Sequence, residues 1–306
     1  MTGTVFIRVF GELRVEVNGV LAPPLESRKA EELLCYLVLN DDGPMRREQL
    51  MSVLWPEETT AKAQKHLRQA LWRLQRAFGL AEEGARLLRL DGPRLELSRE
   101  VSLSTDVGMV LDSFEATLGV HGEDLTETQA QSLESAARLY EGGLLAGCYS
   151  DWCLLERERL ENTTLIILDK LMAYCEATHR HEAGLVHGMR LLELDNAREA
   201  THRRIMRIYA ELGDRTGAMR QYRRCTNALL TELGVEPSEE TRNLFAAIRG
   251  EDRHDEDWGR IRPGDALERT RTFLESLRQK VDEGIEAIFR DLDDVKTAEP
   301  ASRPRK

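Results

Sequence analysis

Apolar residues recur at every second position where the chain begins. Val5, Ile7 and Val9 alternate with Phe6, Arg8 and Phe10, and Leu13, Val15 and Val17 keep the same period. Gly11 and then Asn18-Gly19 interrupt it, and Asn-Gly is a strong hairpin signal because both residues tolerate positive φ. Residues 4–22 are therefore expected to form a small antiparallel sheet. The period then lengthens. Ser27 can cap a helix with Leu33, Leu34, Leu37 and Val38 on one face, ended by Asp41-Asp42-Gly43-Pro44. A second short helix is expected from about Arg46 to Leu54, stopped by Trp55-Pro56. In a third, from about Thr60 to Phe78, Leu67, Leu71, Leu74 and Phe78 form a stripe with Ala63 and Ala70 beside it. Arg86 to Leu90, Asp91-Gly92 and Pro93 to Leu97 read as a hairpin with Asp-Gly as its turn. Pro93 has no N–H for a ladder, which suits an edge strand.

From Ser104 to Gly250 the pattern is helical almost throughout. A shift of 34 residues, the tetratricopeptide period, aligns Leu171-Met172 with Ile205-Met206 and Gly184 with Ala218. A small residue belongs where the two helices of a repeat cross. Flanking helices are expected around Gln129–Leu145 and Trp152–Leu168, making a short superhelix. Glu251 to Gly264 is polar and reads as a linker. Leu267, Thr270, Leu274, Leu277, Val281, Ile285, Ile288 and Leu292 then define an amphipathic helix over 265–293. It is expected either to fold back on the repeats or to pair with a second subunit, and residues 294–306 are expected to be disordered.

Charge changes this picture in one place. The net charge of −11 is unevenly spread: residues 1–105 balance at 15 basic against 15 acidic, whereas 106–250 carry 16 against 24. Between Thr59 and Ala81 there is no acid at all, while Lys62, Lys65, Arg68, Arg73 and Arg76 share the stretch with His66 and Gln69. A solvated helix face normally mixes signs, since Glu–Lys pairs support it. A face of one sign forgoes that support, and phosphate is the commonest partner that compensates. Helix, helix, basic helix and hairpin is the order of a winged helix-turn-helix, in which the last helix enters the major groove and the wing touches backbone. Lys62, Lys65, His66, Arg68, Gln69, Arg73 and Arg76 are the candidate contacts from the helix, with Arg89 and Arg94 from the wing.

Arg28-Lys-Ala-Glu-Glu-Leu-Leu, Arg47-Glu-Gln-Leu, Leu54-Trp55-Pro56 and Leu67 to Gly79 resemble the DNA-binding domain of the Streptomyces antibiotic regulatory protein family. Asp151-Trp152, Leu194-Asp195, Glu199, the run Ile205 to Ala218, Tyr222 and Glu232 to Pro237 resemble the bacterial transcriptional activator domain that follows it there. Trp72 lies on the basic face where the family usually carries a small or polar residue, and Asn196 stands in place of its usual Pro. The resemblance implies a mostly α chain: a winged helix-turn-helix with small antiparallel sheets over 1–105, then an all-α tetratricopeptide-like superhelix over 106–250, and the C-terminal amphipathic helix beyond. It also implies a transcription activator that binds double-stranded DNA as side-by-side protomers, a homo-oligomer on direct repeats, and engages RNA polymerase.

Other chemistry has little support. No G-x-x-x-x-G-K-[ST] occurs, and His181-Glu182 lacks the second histidine of HExxH. His179, His181 and His187 are expected to be exposed rather than metal-bound. Cys35, Cys148, Cys153, Cys175 and Cys225 are scattered, odd in number and without CxxC, as expected of reduced thiols in the cytoplasm. No apolar run approaches the roughly 18 residues of a membrane span. We expect no enzyme activity, no cofactor, no metal and no membrane association. The alternative to a DNA-binding regulator is a protein–protein scaffold whose winged helix does not bind DNA.

Overall fold

The computed structural model describes residues 4–41, 43–78 and 87–250. The expected linker, amphipathic helix and disordered tail lie outside them, as does the first residue of the expected hairpin, Arg86.

The alternating segment forms strands β1 (Thr4–Arg8), β2 (Arg14–Val17) and β3 (Val20–Leu21), paired antiparallel with Val5 opposite Val17 and Ile7 opposite Val15. Asn18 and Gly19 turn the β2–β3 hairpin at φ 52° and 79°, as expected of that dipeptide. Two helices follow, α1 (Arg28–Leu39) and α2 (Arg47–Leu54), separated by the two-residue strand β4 (Met45–Arg46). Ser27 stands at the α1 N-cap without a side-chain cap bond; its carbonyl accepts from Ala30 and Glu31 at 2.9 and 3.1 Å instead. Helix α3 runs over Thr60–Phe78, the expected span. Strands β5 (Leu88–Asp91) and β6 (Arg94–Leu97) then make the wing, and β7 (Ser102–Thr105) leads out of it.

Two expectations change here. The first sheet is not confined to residues 4–22: β7 adds to it parallel to β1, so the order is β3-β2-β1-β7. With Leu103 as its one apolar residue, β7 has no alternation to betray it. The wing strand that follows Pro93, in turn, is not an edge. β4 pairs with β6, which becomes the centre of a three-stranded sheet. Asp91 pairs with Arg94, so the turn is Gly92-Pro93, one residue later than expected. Pro93 therefore sits outside the ladder, where its missing N–H costs nothing, and its carbonyl accepts from the Arg47 amide at 3.0 Å.

The remainder is helical: α4 (Asp106–Glu115), a 3-10 turn at Gly122–Asp124, α5 (Glu127–Leu139), α6 (Asp151–Ala177), α7 (His181–Leu194), α8 (Glu199–Glu211), α9 (Arg215–Leu233) and α10 (Glu239–Arg249). A capping box of Thr126 and Gln129 starts α5. The helix expected to reach Leu145 ends at Leu139, because Gly142, Leu145 and Gly147 all take positive φ. The freed segment turns back onto the first sheet, where Gly143 O accepts from Gly11 N at 3.0 Å and Leu145 N donates to Val9 O at 2.8 Å. Helix α6 extends nine residues past its expected end and forms the long wall of the helical part.

The 34-residue alignment is visible in the packing. Leu171, Met172, Ile205 and Met206 are all fully buried between the pairs α6/α7 and α8/α9. Ala218 is buried too, and a Cβ at Gly184 would lie 3.2 Å from Ile208 Cδ1. The approach is tighter at Gly188, where a Cβ would come within 2.8 Å of Ile205.

Residues up to Gly250 form one compact unit with a continuous core. Polar contacts cross its junction. The buried Asp106 carboxylate accepts from the backbone N–H groups of Val9 and Phe10, each at 3.0 Å, and of Val107 at 2.8 Å. Burial pushes its carboxyl up from 3.8, against the pull of those three donors. Alongside it, Tyr36 of α1 meets Trp152 of α6 edge to face at 5.2 Å, and Ser150 Oγ donates to Glu32 at 2.9 Å.

Candidate nucleic-acid interface

Helix α3 is oriented by its apolar stripe. Ala63, Leu67, Ala70, Leu71, Leu74 and Phe78 are all buried, packed against α1 and α2. At 100° per residue the opposite face carries Lys62, Lys65, Gln69, Trp72, Arg73 and Arg76, all of them exposed, and Arg68 is exposed at its margin. His66 is half-buried, with its ring centroid 6.1 Å from that of Trp55. No described part of the chain roofs this ridge.

The charges on it are poorly neutralised. Lys62 reaches Glu58 at 3.6 Å, while Lys65, Arg68, Arg73 and Arg76 have no carboxylate within 4.0 Å among the described residues. Arg68 Nε donates to the Gln64 carbonyl at 3.4 Å, and the Arg76 guanidinium lies 5.2 Å from the Trp72 ring centroid. Trp72 is 57% exposed, so it plugs nothing. It stands at the rim of a shallow hollow of about 210 Å³ whose far wall is Pro23, Pro24 and Leu25.

On the wing, Arg89 and Arg94 are both exposed; Arg89 pairs with Glu96 at 3.6 Å. The structure adds a residue the sequence pattern does not reveal. Arg46 lies in β4 directly opposite Arg94 in β6, and both are exposed. Like charges facing each other across a ladder destabilise it, and an anion between them relieves that. A two-residue strand gives no periodic signal, so Arg46 carries no mark in the sequence.

The other candidate groups do not assemble into a site. The His179 and His181 rings are 5.9 Å apart, and His181 Nδ1 lies 3.4 Å from Glu211. His181 and His187 are half-buried rather than exposed, and burial draws the His187 imidazole below 6.5. Among the described residues no group of three His, Cys, Asp or Glu is arranged to hold a metal. All five cysteines are buried and free, and burial pushes the Cys153 and Cys225 thiols up to about 12, away from the reactive thiolate. No described helix is long and apolar enough to cross a membrane.

Residues 105–249 match the family described as bacterial transcriptional activator domain. The chain is 24% identical over 264 residues to the transcriptional regulatory protein MoaR1 of Mycobacterium tuberculosis, and equally to that of Mycobacterium bovis, covering 86% of this chain and 85% of the relative. Its fold is similar to that of Mycobacterium tuberculosis EmbR, solved in complex with a low-affinity phosphopeptide: TM-score 0.59, 22% identity, 83% of this chain and 67% of that one.

Proposed function

We propose that this chain, a transcriptional regulator resembling the Streptomyces antibiotic regulatory proteins, is an activator that binds promoter DNA in a sequence-specific way. In this reading α3 enters the major groove of double-stranded DNA. Lys62, Lys65, His66, Arg68, Gln69, Arg73 and Arg76 meet bases and phosphates, and Arg46, Arg89 and Arg94 hold backbone from the wing sheet. Gln is suited to adenine and Arg to guanine, each through two hydrogen bonds. The observation that carries the proposal is the exposed α3 ridge, whose cations, Lys62 excepted, have no carboxylate partner among the described residues. The acidic helical part repels DNA and so confines contact to the front of the chain. By the same resemblance the chain works in the cytoplasm as a homo-oligomer on direct repeats and engages RNA polymerase through that helical part.

Fluorescence anisotropy with promoter and random DNA across a salt series tests this. Four to seven neutralised phosphates would give a slope of about −0.9 per phosphate in log affinity against log salt. Changing Arg73 and Arg76 together to Ala is expected to weaken binding on the order of 10- to 100-fold and flatten the slope by about 2. A second reading, a scaffold that does not bind DNA, draws on the exposed Trp72 and the acidic bulk. Absence of any salt-sensitive binding would favour it and overturn ours.

A further inference from the structure

The helical part is drawn together on one side and open on the other. Along α6, α8 and α10 the side chains are cross-linked by charge. Arg204 of α8 holds Asp169 and Glu176 of α6 at 2.7 and 2.8 Å, and Arg203 holds Glu240 of α10 at 3.0 Å. Between α7 and α9 no such clasp exists among the described residues. A cavity of about 490 Å³ opens there instead, within the range of small-molecule sites.

Its floor is polar and buried. Gln221 is 1% exposed and His202 fully buried. Asn196 O can only accept, so His202 Nε2 carries the proton to it at 3.0 Å, and Nδ1 accepts from Gln221 Nε2 at 2.7 Å. That uses the amide nitrogen of Gln221 and leaves its carbonyl oxygen without a hydrogen bond among the described residues, in a side chain that lines the cavity. That oxygen faces the cavity and can accept from a ligand donor. The walls repeat the pattern. Among the described residues Arg224 has no carboxylate within 4.0 Å and lies 4.0 Å from Met189 Sδ, and Glu193 has no cation within 4.0 Å. Glu232, the second carboxylate of the lining, is engaged by Asn196 at 3.3 Å. One uncommitted cation, one uncommitted carboxylate and the Gln221 carbonyl oxygen thus share a cavity whose apolar surface comes from Met189, Leu192 and Ala228.

We infer that the α7–α9 cavity is a binding site for a small zwitterion of the α-amino-acid class, its carboxylate on Arg224, its ammonium group on Glu193 and Gln221, and its side chain on Met189, Leu192 and Ala228. The inference is independent of DNA binding, because none of these residues lies in the winged helix. Thermal unfolding of the full chain with each of the twenty amino acids at about 10 mM, followed by calorimetric titration of those that raise Tm, tests it. At least one is expected to raise Tm, and the corresponding amine without a carboxylate, or acid without an amine, is expected to bind at least about tenfold more weakly. Arg224→Ala and Glu193→Gln should each weaken binding by about tenfold or more, and Arg224→Lys should restore part of it. Both residues are exposed, and their apo Tm serves as the folding control. The assignment is overturned if no amino acid shifts Tm, or if the two variants bind as the native chain does.

Discussion

Helices α3 and α8 are both rich in arginine, yet their charges have opposite fates. Arg203, Arg204 and Arg207 of α8 are paired with Glu199, Asp169, Glu176 and Glu240, and the first two are 16% exposed. The cations of α3 face water, and among the described residues only Lys62 has a carboxylate partner. Basic content therefore does not distinguish a structural helix from an anion-seeking one. Neighbouring carboxylates do: α8 is flanked by acidic helices that use its charge internally, whereas α3 packs its other face on the apolar surfaces of α1 and α2. The charge of α3 remains available to an external anion.

The contrast can be broken by making α3 resemble α8. Gln69→Glu places a carboxylate four residues from both Lys65 and Arg73, so it neutralises the ridge from within. We expect DNA affinity to fall on the order of 100-fold while stability rises by a few tenths of a kcal/mol. A fall in stability with DNA binding intact would show that the ridge does not face the phosphates. The converse experiment acts on α8. Arg204→Ala removes the clasp to Asp169 and Glu176 and is expected to cost about 1–2 kcal/mol in chemical denaturation. DNA affinity should stay within about twofold, since that charge is already spent inside the fold. The smallest effect concerns pH. Burial holds the His202 imidazole below 6.5, so the unfolded chain takes up this proton first. The stability it contributes is present above 6.5 and lost as pH falls. Between about pH 7.5 and 5.5, His202→Gln should flatten the stability profile by less than about 1 kcal/mol, read from urea midpoints. His187, held low in the same way, accounts for part of the remaining slope.

What could be read from residue order was whatever repeats. The stripe of α3, the alternation of β1 and β2 and the 34-residue shift each recur over several turns or strands, and each appears in the fold. Elements that owe their existence to a distant partner gave no such sign. β4 and β7 have two and four residues and are strands because β6 and β1 offer them backbone groups. The segment after Leu139 carries a helix-like pattern, but its glycines and its bonds to Gly11 and Val9 decide otherwise. The ridge was legible because its charge sits on one periodic helix, while Arg46 was hidden because its neighbour Arg94 comes from another part of the chain. The α7–α9 cavity was hidden for the same reason: His202 and Gln221 read as ordinary positions until packing leaves them facing a gap.

The parallel pairing of β1 with β7 has a consequence for how the molecule is made and dissected. During translation the first strand leaves the ribosome long before its neighbour, for Val9 and the carboxylate that fixes it, Asp106, are 97 residues apart. Such non-local closure is slow, and until it occurs one border of β1 exposes unpaired amides that invite another chain. A fragment cut after the wing would keep that border permanently and should aggregate. One that runs through Asp106 into α4 carries its own seal.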